Sequence, residues 1–347
     1  MTVTKEEFGH YDGVPIYRYT IENQHQTRLR ILSYAGIIQE FSVMDAGQRI
    51  NLVLSFDDLA GFTEHGYNFN RVIGRHAGRI GGANWQTSAG KQITVPANEN
   101  GNSLHGGPNG LGNQVFASRI DSLNEAVILS YQATEASDGY PGELNMEVQY
   151  QLNNDDQVVI NLSGTQAGVS GIFNPTVHTY FNVSDPIVSD VTQMSLQVAS
   201  EARLVLGADK VPTGEIVPVG NALYDFTDLT NLGDRLENFK AMTTERGLDD
   251  AFIVSGDLSM PAATLVDDAT GRQVTVYSDR NGIILYTAND LNDATMNLNR
   301  GLGHPYEGIA IEAQNLPDAV NHLGFGDISI EPGETKTYQI IYQYNHR

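Results

Sequence analysis

Hydrophobic and polar residues alternate with period 2 over long stretches of this chain. Leu144, Met146, Val148 and Tyr150 take every second position, the turn-forming run Asn153-Asn154-Asp155-Asp156 follows, and Val158, Ile160 and Leu162 resume the alternation. This predicts a β-hairpin with one apolar face. A second hairpin is expected where Ala263–Val266 and Val274–Tyr277 flank Asp267-Asp268-Ala269-Thr270-Gly271. Between Thr27 and Met44, Leu29 and Ile31 are followed by Ile37, Ile38, Phe41 and Val43 across a Tyr34-Ala35-Gly36 bend, and Ile50–Leu54 continues the strand pattern. Further strands are predicted at Ala126–Tyr131, Asn174–Asn182, Ile283–Thr287, Ile309–Ala313 and Thr337–Tyr344, with a turn at Ser137–Gly142 and another at Val211–Gly214. Helical spacing is rare. Leu229, Leu232, Leu236 and Phe239 predict one helix capped by Asp228, and a single helical turn fits between Asp57 and His65. Turn signals recur along the whole length without a linker, charge block or low-complexity tract. The expected architecture is all-β: one domain over residues 1–347, a large antiparallel β-sandwich with a few short helices.

Charge and composition narrow the partners. The 347 residues include 42 Asp plus Glu against 20 Lys plus Arg, a formal charge of −22. Nucleic acid or an anionic membrane would meet net repulsion, so a neutral or cationic small molecule is the better partner. The chain has no cysteine, which removes disulfides, zinc-thiolate sites and thiol nucleophiles. The first residues lack the apolar core of a signal peptide, and no run approaches a membrane span. The expectation is a cytoplasmic protein, monomeric or homodimeric.

Candidate chemistry begins in the strand Gly308–Asn315. Ile309, Ile311 and Ala313 point one way and Gly308, Ala310, Glu312 and Gln314 the other, which leaves Glu312 as the only charge on a face of otherwise uncharged, mostly small residues. A solvated strand face explains that as well as a site does. Arg71, Arg75 and Arg79 recur every fourth position, but glycines at 74, 78, 81 and 82 argue for extended or irregular backbone instead of a helix. His105 lies in a polar loop, His178 shares a predicted strand face with Thr176 and Tyr180, and Asp249 follows Gly247-Leu248. No phosphate-binding loop, dinucleotide fingerprint, nucleophile elbow or metalloprotease motif is present.

Six strings occur in an order that resembles the aldose 1-epimerase (galactose mutarotase) family. They are Gly74-Arg75-His76-Ala77-Gly78-Arg79-Ile80, Asn102-Ser103-Leu104-His105-Gly106-Gly107, Asp138-Gly139-Tyr140-Pro141-Gly142, Asn174–Asn182 around His178, Gly247-Leu248-Asp249, and Gly308–Gln314 around Glu312. Gly78 stands where many members have Asn, and Val177 and Thr179 flank the histidine where other small residues are common. The resemblance implies a supersandwich with an open cleft and cofactor-independent, metal-free interconversion of the anomers of a free aldose. It implies Glu312 as base, His178 as acid with His105 assisting, and Arg79 and Asp249 as substrate-binding residues. It also suggests that Gly308 and Ala310 leave room for the anomeric carbon. The residues alone leave rivals: a glycosidase using Glu312 and Asp249, a metal site of His105, His178 and Glu312, a non-catalytic sugar-binding sandwich, or an epimerase of sugar phosphates or disaccharides.

Overall fold

The computed structural model describes residues 2–186, 190–220, 223–293 and 295–347. Both predicted hairpins form, and both lie in one nine-stranded sheet. Glu143–Leu152 pairs with Gln157–Ala167, and the turn is closed by Asn153, whose Oδ1 accepts from the backbone N–H groups of Asp155 and Gln157, both at 3.0 Å. Ala263–Asp267 pairs with Arg272–Ser278. The C-terminal strand Thr335–His346 runs between the two hairpins and pairs with each of them. Two further antiparallel sheets, one of six strands and one of five, complete the β-sandwich.

Alternation decides which side of each strand is buried. Val148, Tyr150, Ile160, Leu162, Val274, Ile340 and Tyr342 project from the nine-stranded sheet into one apolar cluster. From the six-stranded sheet Ile283, Leu285, Ile309, Ile311 and Ala313 enter the same cluster, and from the five-stranded sheet Tyr19, Ile21, Leu29 and Ile31. Burying each such side chain contributes about 1.5–3 kcal/mol, so this cluster, and not any single turn, holds the layers together.

Three short helices are present among the described residues: α1 (Leu59–Glu64), α2 (Glu135–Asp138) and α3 (Leu232–Met242). α1 is the turn expected between Asp57 and His65, capped by Asp58. α3 buries Leu232, Leu236 and Phe239 as its spacing requires, but its cap is Asn231, not Asp228. Asn231 Oδ1 accepts from Asp234 N at 3.1 Å, so the helix begins later and Leu229 is left at the surface. α2 occupies part of the segment expected to be a plain turn, because Thr134 and Ser137 form a reciprocal capping box and Gly139, at φ 80°, ends it. Pro212 does not sit in a turn. It opens the edge strand Pro212–Pro218, where a missing N–H faces no partner, and the reversal falls at Gly207–Lys210 instead.

The outer face of the six-stranded sheet carries the polar residues. Cross-strand pairing aligns Tyr180, Ala310, Tyr286 and Asp249 in one row, and Glu312, Ile284 and Ala251 in the next. Ala310 therefore lies between two tyrosines. Its methyl lets the rings of Tyr180 and Tyr286 meet edge to face with centroids 6.2 Å apart, and it is itself fully buried. Gly308 packs under Leu54, whose Cδ1 lies 2.7 Å from where a Cβ would stand. Neither small residue opens space for a ligand, contrary to the expectation above: they serve packing beside Glu312.

Candidate active site

A cleft of about 300 Å³ lies over that outer face, and it brings Arg79, His105, His178, Asp249 and Glu312 together. Each reaches it from a different element. Glu312 rises from the strand Ile309–Gln314, and Asp249 begins the strand Asp249–Ile253. His178 occupies a break between the short strands Thr176–Val177 and Tyr180–Phe181, so the single strand expected over Asn174–Asn182 is interrupted at the histidine. The interruption has a cause: the backbone N–H of His178 donates to Arg71 O and its carbonyl accepts from Asn70 N, both at 2.9 Å, which ties this residue to the Arg71 segment. Arg79 sits in the two-residue strand Arg79–Ile80, paired with Ser103–Leu104, and that pairing delivers His105 to the opposite wall.

His178 Nε2 is 3.3 Å from Glu312 Oε1, with the two side chains only 7% and 4% exposed. The other polar atoms of the pair, His178 Nδ1 and Glu312 Oε2, are buried without a hydrogen-bond partner. The rings of His105 and His178 meet edge to face at 5.4 Å, and Tyr180 lies 4.9 Å beyond. His105 adopts φ 54°, and its Nδ1 accepts from the backbone N–H of Gly78 at 3.2 Å. An accepting Nδ1 places the ring proton on Nε2, so His105 is a neutral donor. Gly78 can do this because its φ is 74° and because a Cβ would stand 2.7 Å from Pro317 Cβ, so glycine is the residue that fits.

Burial separates the titrations of the central pair. Glu312 is pushed up to about 8, chiefly by burial and further by Asp249, with Arg79 opposing. His178 is pulled down to about 4 by burial, with Arg71 adding to the shift. His105 lies well below the usual imidazole range, again through burial first and then the neighbouring His178 and Arg79. Between the two titrations the Glu312–His178 pair holds one proton, which rests on Glu312 and can cross to the imidazole through their direct contact.

Two cleft residues were not legible in the sequence pattern. Glu99, from the loop that also carries His105, grips Arg79 with two hydrogen bonds of 2.5 and 2.8 Å. Lys210, 17% exposed, lies 3.1 Å from Glu245 Oε1 and 3.7 Å from Asp249 Oδ2. Glu99 is the only carboxylate in its loop, a usable signal; Lys210 carries none. The other arginines of the periodic trio lie elsewhere. Arg71 donates to backbone carbonyls and Asn113, and Arg75 forms a buried pair with Asp138.

The family model for aldose 1-epimerase matches residues 17–343. The chain belongs to the aldose 1-epimerase family. Maltose epimerase of Levilactobacillus brevis is 35% identical over the full length of both chains, and galactose mutarotase of Bos taurus is 30% identical over 99% of each. Among solved structures, the aldose epimerase homologue from C. elegans superposes with a TM-score of 0.85 at 25% identity, covering 94% of this chain and 98% of that one. Galactose 1-epimerase from Lactobacillus acidophilus, at 24% identity, shows the same fold with a TM-score of 0.85 over 99% of each chain. As an aldose 1-epimerase family protein this chain is an isomerase with the galactose mutarotase-like β-sandwich. No helix among the described residues is long and apolar enough to cross a membrane.

Proposed function

We propose that this aldose 1-epimerase interconverts the α and β anomers of free aldohexoses such as galactose and glucose, with Glu312 and His178 moving the proton. The observation that carries the reading is their 3.3 Å contact in a buried cleft. The two oxygens of a hemiacetal are bonded to the same carbon, so the groups that serve them must themselves be neighbours. Glu312 takes the proton of the C1 hydroxyl while His178 Nε2 gives one to the ring oxygen; the C1–O5 bond breaks and the aldehyde forms. Rotation about C1–C2 presents the other carbonyl face, and the transfers reverse as the ring closes. One proton is spent and one recovered, so no co-reactant is needed. His105 Nε2–H supports the ring oxygen or the adjacent hydroxyl, and Arg79 and Asp249 hold hydroxyls through charge-assisted hydrogen bonds.

The cleft wall bears on the substrate. Beside a protonated Glu312, the lining carboxylates Glu99, Asp249, Asp250 and Asp290 outnumber the lining cations Arg79 and Lys210. A phosphorylated sugar would bring further negative charge into that excess, so neutral sugars are favoured. Relatedness to a maltose epimerase supports a second reading within this class, in which the reacting glucose carries another sugar unit. Polarimetry of freshly dissolved α-D-glucose, α-D-galactose and maltose tests the function directly: faster equilibration of one or more is expected, and sugar 6-phosphates should respond weakly. Failure with every aldose would sink the reading. Because His105, His178 and Glu312 place ligand-type atoms within 4.8 Å of one another, the assay is repeated after dialysis against a chelator. Unchanged activity keeps the trio as acid and base; loss restored by a divalent ion reassigns it to a metal.

The one-proton state has a pH signature. kcat/KM should be bell-shaped, rising near pH 4 as His178 loses the second proton and falling near pH 8 as Glu312 loses the first. Asp249 raises the Glu312 value, so Asp249→Asn should move the alkaline limb to lower pH while leaving the acid limb in place. A profile that climbs through pH 8 would instead assign the acid to neutral imidazole.

A further inference from the structure

The cleft does not end at His105. A second pocket of about 90 Å³ continues from it, sharing Asn68, Leu104 and His105 with the main cleft and extending under the loop Gly107–Asn113. We propose that this annex is a subsite for the second, non-reacting sugar unit of a reducing disaccharide; the assignment rests on the epimerase reading above.

Three features support it. The first is direction. Only the unit with a free anomeric carbon can react, so it must lie at Glu312 and His178, and its partner must leave along the cleft. One end is occupied by the ionic cluster of Lys210, Glu245 and Asp249. The annex lies at the end where His105 and Asn68 stand.

The second is chemistry. Apart from neutral His105, the annex has no ionisable side chain: its walls are asparagine amides, glycine backbone and the apolar surfaces of Leu104 and Pro108. A pyranose presents both C–H faces and a rim of hydroxyls, which suits that combination. Asn68, held at φ 53°, has an amide with no hydrogen bond to the protein among the described residues, so it is available to a hydroxyl.

The third is rigidity. Asn98 exchanges hydrogen bonds with both backbone groups of Leu104, 2.7 and 3.1 Å, and Asn113 is fixed by Arg71 and by Pro108 O. Gly110 lets the loop pack tightly on the backbone, since a Cβ there would stand 2.7 Å from His105 O and 3.0 Å from Gly74 O. A pocket already formed in this way binds without an ordering cost.

The test compares maltose with glucose in the wild-type protein and in Pro108→Ala, which touches the annex alone. Wild type should show a lower KM for maltose than for glucose. Pro108→Ala should raise KM for maltose by about fivefold with kcat for maltose and both constants for glucose unchanged, the pattern of lost uniform binding. Pro108→Trp, which obstructs the annex from a position outside the main cleft, gives a second measurement with the same expected split. Equal effects on both sugars in both variants would overturn the subsite. Wild-type activity on glucose and galactose but none on maltose would also overturn it while leaving the epimerase reading intact, whereas inactivity on every aldose removes that reading itself.

Discussion

Glu312→Gln is expected to lower kcat for mutarotation by about 10²–10⁴ while leaving sugar binding measurable, because the amide keeps the shape and polarity of the site but cannot accept the C1 hydroxyl proton. Stopped polarimetry gives kcat, and quenching of intrinsic fluorescence by added sugar gives binding. The same variant has a thermodynamic signature that separates loss of the base from loss of the fold. Glu312 titrates near 8 in the folded protein against an ordinary 4.5, so its protonated form is the one the fold favours. Its contribution is fully present below pH 4.5 and is lost as pH rises through 8, a change on the order of a few kcal/mol. Glutamine does not titrate. The thermal midpoint of Glu312→Gln should therefore gain on wild type between pH 5 and 8 and hold that gain above. Full activity in the variant would move the base role elsewhere, with Asp249 the next candidate; a midpoint difference independent of pH would refute the buried-acid account.

The largest stability loss is expected at a residue with no place in the chemistry. Asp138 takes two hydrogen bonds from Arg75, 2.7 and 3.1 Å, and the two side chains are 5% and 0% exposed. Arg75 completes its fork on the carbonyls of Pro141 and Gly142, and Asp138 also accepts from Tyr140 N. Asp138→Asn would leave a buried guanidinium without its counter-charge, which costs about 3–5 kcal/mol. Urea unfolding measures it; kcat at low temperature, where the variant remains folded, should stay near wild type. A loss below 1 kcal/mol would mean that the backbone carbonyls suffice.

This pair also explains why the sequence strings mixed two kinds of information. Gly74–Ile80 contains Arg75, which binds Asp138, and Arg79, which faces the cleft; Asp138–Gly142 supplies the partner of Arg75, the carbonyls around it and Tyr140, which packs against Trp85. A string can recur because it holds a wall in place. Spacing alone could not sort the three arginines, since Arg71 ties down a loop, Arg75 binds a buried carboxylate and Arg79 lines the cleft. The helix at Leu232–Met242 was legible because Leu232, Leu236 and Phe239 share a face over local distances, whereas its cap was not, because Asp228 and Asn231 are both acceptable caps and packing chose between them.

By itself the sequence determined both hairpins with their apolar faces, many of the other strands but not the opening pair Thr2–Tyr11 and Val14–Glu22, and, through six ordered strings, the five residues that meet in the cleft. These follow from alternation and turn chemistry, which act over a few neighbours. Only the tertiary structure decided that Glu99 grips Arg79, that Lys210 binds Asp249, that Ala310 seats two tyrosines, and that the proton of the central pair rests on Glu312. Each of these depends on groups brought together from distant segments and on water excluded from between them. Desolvation is a property of the assembled cleft, and no local pattern encodes it.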